Sequence, residues 1–316
     1  MMSLRNWATA KSLLLNLNIK FKYRPLYFFN TDMRISSPWL LVLPAIALVG
    51  FNSFMPIIYA AYLSTLRYYL TGLEPTFIGY GNFLLLMNDP TVFRSLMMGL
   101  VFTSVCVTIE LLLGLILALI LYTDTRMNRV IRTIITSPVL LPPLTVGATW
   151  LLMFRSDIGP IPRLLSQFGI TYSIGSDPFH AFFTAVLMDV WHWTPFVILV
   201  LVAVRASIPP EPYESAMVDG ASSWHIFRYI TLPNLRYALF VVGLIRMIDC
   251  LKIFDEIWIL TSEGPYKVTN FMSIFIVKTT MSQLNIGYGA ALSLFFLYII
   301  ILLTFIFLKV IMGERK

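Results

Sequence analysis

Long apolar runs separated by short polar connections dominate the chain. A helix needs about 20 mostly apolar residues to cross the hydrocarbon of a bilayer. Six segments meet that length: 39–66, 95–122, 133–154, 181–204, 235–260 and 286–310. The pattern predicts an all-α integral membrane protein with six transmembrane helices. It reads as a tail over 1–38, one six-span domain over 39–312 and a short tail over 313–316. Each connection is at most some thirty residues, with no visible internal repeat and no appended soluble domain. The run from Leu13 to Leu17 is too brief to span and is interrupted by asparagines. An interfacial helix and a partly ordered tail both fit it. No small-residue cleavage site follows an apolar core in the first forty residues, so no removable signal peptide is expected.

Composition supports the membrane reading. Of 316 residues, 58% are hydrophobic and 12% charged, with a mean hydropathy of +0.79. A soluble domain carries roughly 25% charge. Lys and Arg number 23 against 16 Asp and Glu, a net charge of +7. Counted by side, 15 of these cations fall on the tails and the loops after spans two and four, and 6 fall on the opposite side. The positive-inside rule then predicts both termini in the cytoplasm. Nucleic-acid binding would want a basic stripe on a soluble domain, and none is visible. Cys106 and Cys250 sit inside apolar runs, His180, His192 and His225 lack metal-ligand spacing, and no nucleotide-binding motif occurs.

The loop after span four, 209–233, is the most informative stretch. Pro209, Pro210 and Pro212 end the span and suit the first turn of a new helix. Glu214 lies in that turn, where the helix dipole favours a negative charge. Ser215 and Ala216 are small enough to admit another surface. Gly220 suits the left-handed residue that ends a helix. Ser222 or Ser223 suits the cap of a following short helix, and Pro233 opens span five. The expected structure is a helix–turn–helix hairpin at the cytoplasmic face. It could anchor two spans or dock a partner.

The spacing of this hairpin resembles a family signature. Glu214-Ser215-Ala216, Gly220 and Ile230-Thr231-Leu232-Pro233 match the E-A-A…G…I-x-L-P pattern of ABC-transporter import permeases. Asp219, Ala221 and Phe227 resemble the carbohydrate-uptake branch, and Ser215 in place of alanine is the departure. Phe77–Phe83, the prolines 138, 142 and 143, Phe254-Asp255 with Leu260-Thr261 and Gly264-Pro265, and Gly287–Ser293 resemble further family segments in the same order. Glu263 replaces a glycine of that pattern. The likeness covers about residues 40–310.

The resemblance implies a type I ABC importer permease fold and a carbohydrate import role, without enzymatic activity in this chain. It implies a second six-span permease subunit, commonly a distinct homologue, two cytoplasmic ATP-binding subunits and an extracytoplasmic solute-binding protein. No cofactor is expected in this chain, because ATP and Mg would be bound by the partner ATPases. It places the chain in the bacterial inner membrane. Residues Glu214, Ser215, Ala216, Asp219, Gly220, Ala221, Ile230, Leu232 and Pro233 would form the ATPase-coupling element. The cargo would be a saccharide: neutral oligosaccharides, acidic saccharides and glycerol phosphates all remain open.

Ionisable residues inside spans are costly and mark paired or hydrated faces. Span five carries Arg246, Asp249, Lys252, Asp255 and Glu256. Their spacing on a continuous helix predicts Arg246–Asp249, Asp249–Lys252 and Lys252–Glu256 pairs along one face. Span four carries Asp189, Trp191, His192 and Trp193. Structural pairing and a wall of the substrate pathway are both consistent with these groups. No metal site is expected. An ion-coupled secondary transporter would also show apolar spans with buried charges. It should show repeated halves, and it leaves the hairpin spacing unexplained. A haem or quinone subunit would want paired histidines on facing spans, and only His192 lies inside one.

Overall fold

The computed structural model describes residues 39–313 apart from Leu73. Four helices are individually long and apolar enough to cross a membrane. They are α1 (Trp39–Ser64), α3 (Pro90–Leu121), α7 (Pro178–Ser207) and α13 (Ile286–Gly313). A short helix, α2 (Gly81–Asn88), follows a two-residue antiparallel ladder between Leu66–Arg67 and Thr76–Phe77. Buried Asn82 ties this corner together by donating to the carbonyls of Ser64 and Leu66, both at 2.8 Å. The starts of α3 and α7 carry the expected signals. Asp89 and Asp177 accept hydrogen bonds from the amides of Thr91 and His180, each with a proline in the first turn.

The segment expected as one proline-broken span over 133–154 consists of two helices. Here α4 (Arg126–Thr136) and its following 3-10 turn (Ser137–Leu140) meet α5 (Pro143–Phe154) at 97°. Pro138, Pro142 and Pro143 supply the cause, since consecutive prolines withhold amide donors and push the preceding residue out of the helical region. In the loop before α4, Asp124 pairs with Arg129 and Arg132 at 3.0 and 3.2 Å. The Arg129 hydrogen bond, with further help from Arg132, holds the Asp124 carboxyl below its usual range.

The expected continuous helix over 235–260 is also corrected. Helix α10 (Leu232–Leu251) stops, residues 252–254 leave the helical path, and α11 (Asp255–Thr261) begins afresh. No proline or glycine lies at the break. Asp255 and Glu256 occupy the first turn of α11, where carboxylates stabilise a helix start. The break therefore follows from charge placement. Helix α10 is less apolar than α13, because it holds Arg236, Arg246 and Asp249 within 20 residues.

The buried centre lies where α3 runs along α7, α10 crosses both, and α11 lies against α5. Two glycines permit close approaches there. A methyl at Gly114 would overlap the side chain of Val197, and one at Gly147 would stand 2.7 Å from the Glu256 carbonyl oxygen. Short helices α6 (Pro160–Ser166) and α12 (Met272–Val277) complete the connections before α7 and α13.

Candidate functional site

The hairpin forms as its sequence dictates. Helix α8 (Glu211–Val218) holds Glu211 and Glu214 in its first turn and Pro212 near its start. It ends at Gly220, whose φ is +76°. The Gly220 amide donates to the Met217 carbonyl and the Ala221 amide to Ala216, closing the last turn. Ser222 caps the four-residue helix α9 (Ser223–Ile226), and its Oγ also lies 2.7 Å from His225 Nδ1. A π turn over Phe227–Thr231 then leads directly into α10, with Pro233 in its first turn.

Glu214, Ser215, Asp219, Gly220 and Pro233 are exposed, while Ala216, Ala221, Ile230 and Leu232 are half-buried. The exposed side also carries Met217, Val218, Trp224 and Tyr229, with Val218 88% exposed. This apolar edge lies beside the exposed Glu214 carboxylate, and it was not singled out in the sequence. Its signal was available: apolar residues in a short, proline-started helix with little of the chain left to cover them. The Arg205 guanidinium at the end of α7 stacks over Tyr122 at 4.2 Å and Tyr213 at 4.0 Å. It fastens α8 to the ends of α3 and α7, so a push on the hairpin reaches two long helices.

Inside the bundle the ionic arrangement differs from the expected one. Arg246 does not pair with Asp249. It forms a bidentate contact with Glu110, Nε to Oε2 at 2.7 Å and an Nη to Oε1 at 2.9 Å, and the same Nη reaches Asp189 at 3.0 Å. Its guanidinium also lies 4.7 Å from the Trp193 ring and 3.1 Å from Cys250 Sγ. Arg246, Glu110 and Asp189 are all buried. The expected Lys252–Glu256 pair is likewise absent, because the chain leaves the helix between them. Glu256 instead lies 3.3 Å from His192 Nδ1, and His192 Nε2 lies 3.2 Å from the Leu141 carbonyl oxygen. Only the Asp249–Lys252 pair forms as expected, at 3.6 Å.

Glu110 is the principal residue that sequence reading missed. A single carboxylate in the apolar run of α3 was the available signal. Glu110, Asp189 and Cys250 bring candidate ligand atoms within 4.8 Å of one another. The Arg246 guanidinium already stands among them and supplies the positive charge.

A cavity of 280 Å³ opens beside this cluster and is lined by Asp189, Trp193, Arg246, Asp249, Lys252, Asp255 and Glu256. The break between α10 and α11 borders it. Asp189 Oδ1 is buried without a partner among the described residues. Trp191 does not join this cavity; it faces outward beside Trp150, with ring centroids 5.9 Å apart. His180 stacks on Tyr172 at 4.1 Å, away from the cluster. Glu263, the departure from the glycine of the family pattern, is ion-paired with Lys278.

Similarity to known proteins agrees with this architecture. Residues 110–315 match the family described as binding-protein-dependent transport system inner membrane component. The trehalose/maltose transport system permease protein MalF of Thermococcus litoralis is 32% identical over 296 residues, covering 93% of this chain and 97% of that protein. The trehalose transport system permease protein SugA of Mycobacterium tuberculosis is 32% identical over 288 residues, covering 89% and 92%. Among solved structures, a chain of a bacterial alginate ABC transporter in complex with an alginate pentasaccharide-bound periplasmic protein superimposes with a TM-score of 0.75 at 21% identity. That match covers 85% of this chain and 91% of the other, and shows a shared fold. A multi-pass membrane subunit with this match belongs to the family of binding-protein-dependent transport system inner membrane components.

Proposed function

We propose that this chain is one of two pathway-forming subunits of an ATP-driven saccharide importer. An extracytoplasmic binding protein delivers the cargo, and two cytoplasmic ATPase subunits, which bind the ATP and Mg, drive the cycle. The chain crosses the inner membrane six times. The bent α4–α5 pair serves as the third crossing and the broken α10–α11 pair as the fifth. Both termini face the cytoplasm, with 1–38 and 313–316 as tails about one permease domain. The second permease is a distinct homologue.

The observation that carries the coupling role is the exposed α8 surface, ending at a left-handed Gly220 and fastened by Arg205 to two long helices. Glu214, Ser215, Ala216, Asp219, Gly220 and Ala221 form the seat offered to an ATPase. Ile230, Leu232 and Pro233 fix its connection to α10. ATP-driven closure of the ATPases moves this hairpin as a lever, and the helices rock between two discrete arrangements.

The cavity beside α10 and α11 is the cargo pathway, with Trp193 as a stacking surface and Asp189, Asp249, Asp255 and Glu256 as acceptors for sugar hydroxyls. His192 orients Glu256. Arg246 and Lys252 already hold carboxylates of this same chain, which favours a neutral saccharide over an acidic saccharide or glycerol phosphate. The names of the trehalose and maltose permeases point the same way. Glu214→Lys tests the reading on one preparation. Membrane insertion should be normal, while ATPase co-purification and saccharide-stimulated ATP hydrolysis fall at least tenfold. Full coupling in that variant would reduce the hairpin to an anchor.

A further inference from the structure

A second groove, separate from the polar cavity, lies between α3, α10 and α13. It encloses 710 Å³ and is walled by Leu111, Leu115, Leu239 and Phe307. The three helices close upon one another at Gly243, where an added methyl would stand 3.2 Å from Leu111 and 3.7 Å from Phe307. On α10 the lining runs from Leu232 to Phe240, eight residues of helix or about 12 Å at the α-helical rise. The hydrocarbon of one leaflet is about 15 Å deep, half of a core about 30 Å thick. The apolar trough therefore covers most of the depth of one leaflet.

One end of the trough is basic. Arg228, on the π turn, and Arg236, one turn into α10, both line the groove and are exposed. Neither is in a salt bridge with a carboxylate among the described residues, a state they share with Arg67, Arg94, Arg126, Arg163 and Arg205; what sets them apart is that both border the same apolar groove. Arg236 instead lies on the Tyr237 ring and donates to its hydroxyl at 2.8 Å. Two guanidiniums without a carboxylate partner, at one end of an apolar trough about 12 Å long on α10, match one kind of occupant in shape and charge. We propose that this groove binds an anionic phospholipid of the cytoplasmic leaflet, with its phosphate held by Arg228 and Arg236 and an acyl chain against Leu111, Leu239 and Phe307.

Guanidinium groups suit phosphate because their N–H donors match two of its oxygens at once. Basic pockets between transmembrane helices on the cytoplasmic side are known to favour such headgroups. The site adjoins the 209–233 hairpin through the π turn, so an occupied groove would brace the joint between that hairpin and α10. The leaflet assignment rests on the membrane orientation proposed above.

The test uses the assembled transporter, purified from mixed phosphatidylcholine–phosphatidylglycerol membranes and weighed intact by native mass spectrometry. Wild type should retain phosphatidylglycerol in preference to phosphatidylcholine. Arg228→Gln with Arg236→Gln should lower retained phosphatidylglycerol at least fivefold and leave phosphatidylcholine unchanged. Leu239→Trp, which fills the trough and keeps both charges, should lower both lipids. Equal phosphatidylglycerol retention in wild type and the double variant would overturn the proposal. So would efficient crosslinking of Leu239→Cys to another polypeptide, because a protein partner would then cover the groove. Ser223→Cys labelled from outside intact spheroplasts would overturn the leaflet, and with it the orientation, independently of the lipid counts. Recovery of the partner subunits from the same preparation reports separately on the importer reading.

Discussion

The 209–233 hairpin and the Arg246 cluster are both built from charged and polar residues, yet opposite physical rules form them. In the hairpin every determinant is local. Pro212 starts a helix, Gly220 ends it, Ser222 caps the next, and Glu214, Ser215 and Asp219 stay exposed. In the cluster the charged partners are remote. Arg246 reaches Glu110 across 136 positions and Asp189 across 57, in surroundings where an unpaired charge is costly. A local device tolerates modest change by bending, whereas a buried ionic cluster fails as a unit.

Three measurements would break or sharpen that contrast. The largest effect is expected from Arg246→Leu, which leaves Glu110 and Asp189 buried and facing each other without a cation. Removing one partner of a buried pair costs about 3–5 kcal/mol, so the thermal midpoint in detergent should fall sharply. Adding Glu110→Gln and Asp189→Asn should restore much of it, since neutral amides carry no such penalty. A failure to recover would mean that packing by the Arg246 side chain, not its charge, holds the centre.

A smaller effect is expected at Gly220. Nothing lies within 4 Å of a methyl placed there, so crowding is not at issue. The cost is the left-handed backbone itself, about 1 kcal/mol for alanine and less for asparagine. Gly220→Ala should lower recovery of ATPase subunits while leaving the thermal midpoint of the membrane bundle nearly unchanged. Parallel losses in both would show that hairpin and bundle unfold together. Smallest of all, Ser222→Ala should weaken one cap by about 1 kcal/mol. Faster amide hydrogen exchange should be confined to 223–226, and spread into α10 would erase the distinction.

The same division explains what was legible in the sequence. The long spans, the hairpin and its left-handed glycine follow from apolar length, proline and glycine placement and caps, all of which act within a few residues. The bend before Pro143 was foreshadowed by its prolines, but its angle depends on how α5 lies against α11 through Gly147. The break at 252–254 was missed because an i, i+4 pattern of charges reads equally well on a continuous helix. The carboxylates at 255 and 256 instead start a new one, and Glu256 turns to His192. The partners of Arg246 could not be read at all. Nothing local distinguishes the Glu110 that meets it from any other carboxylate in an apolar run.

The chain order of the Arg246 cluster also matters during synthesis. Glu110 and Asp189 are translated and inserted before Arg246 is made. On the insertion scale a charged residue at mid-span costs about 2.5–3.5 kcal/mol. A nascent chain that has emerged only as far as α7 therefore carries two acidic spans with no cation to neutralise them. Each is held in place by the apolar remainder of α3 or α7. Arrival of α10 supplies the missing counter-charge and draws three helices together at once, so the step that places α10 is also the step that locks α3 and α7.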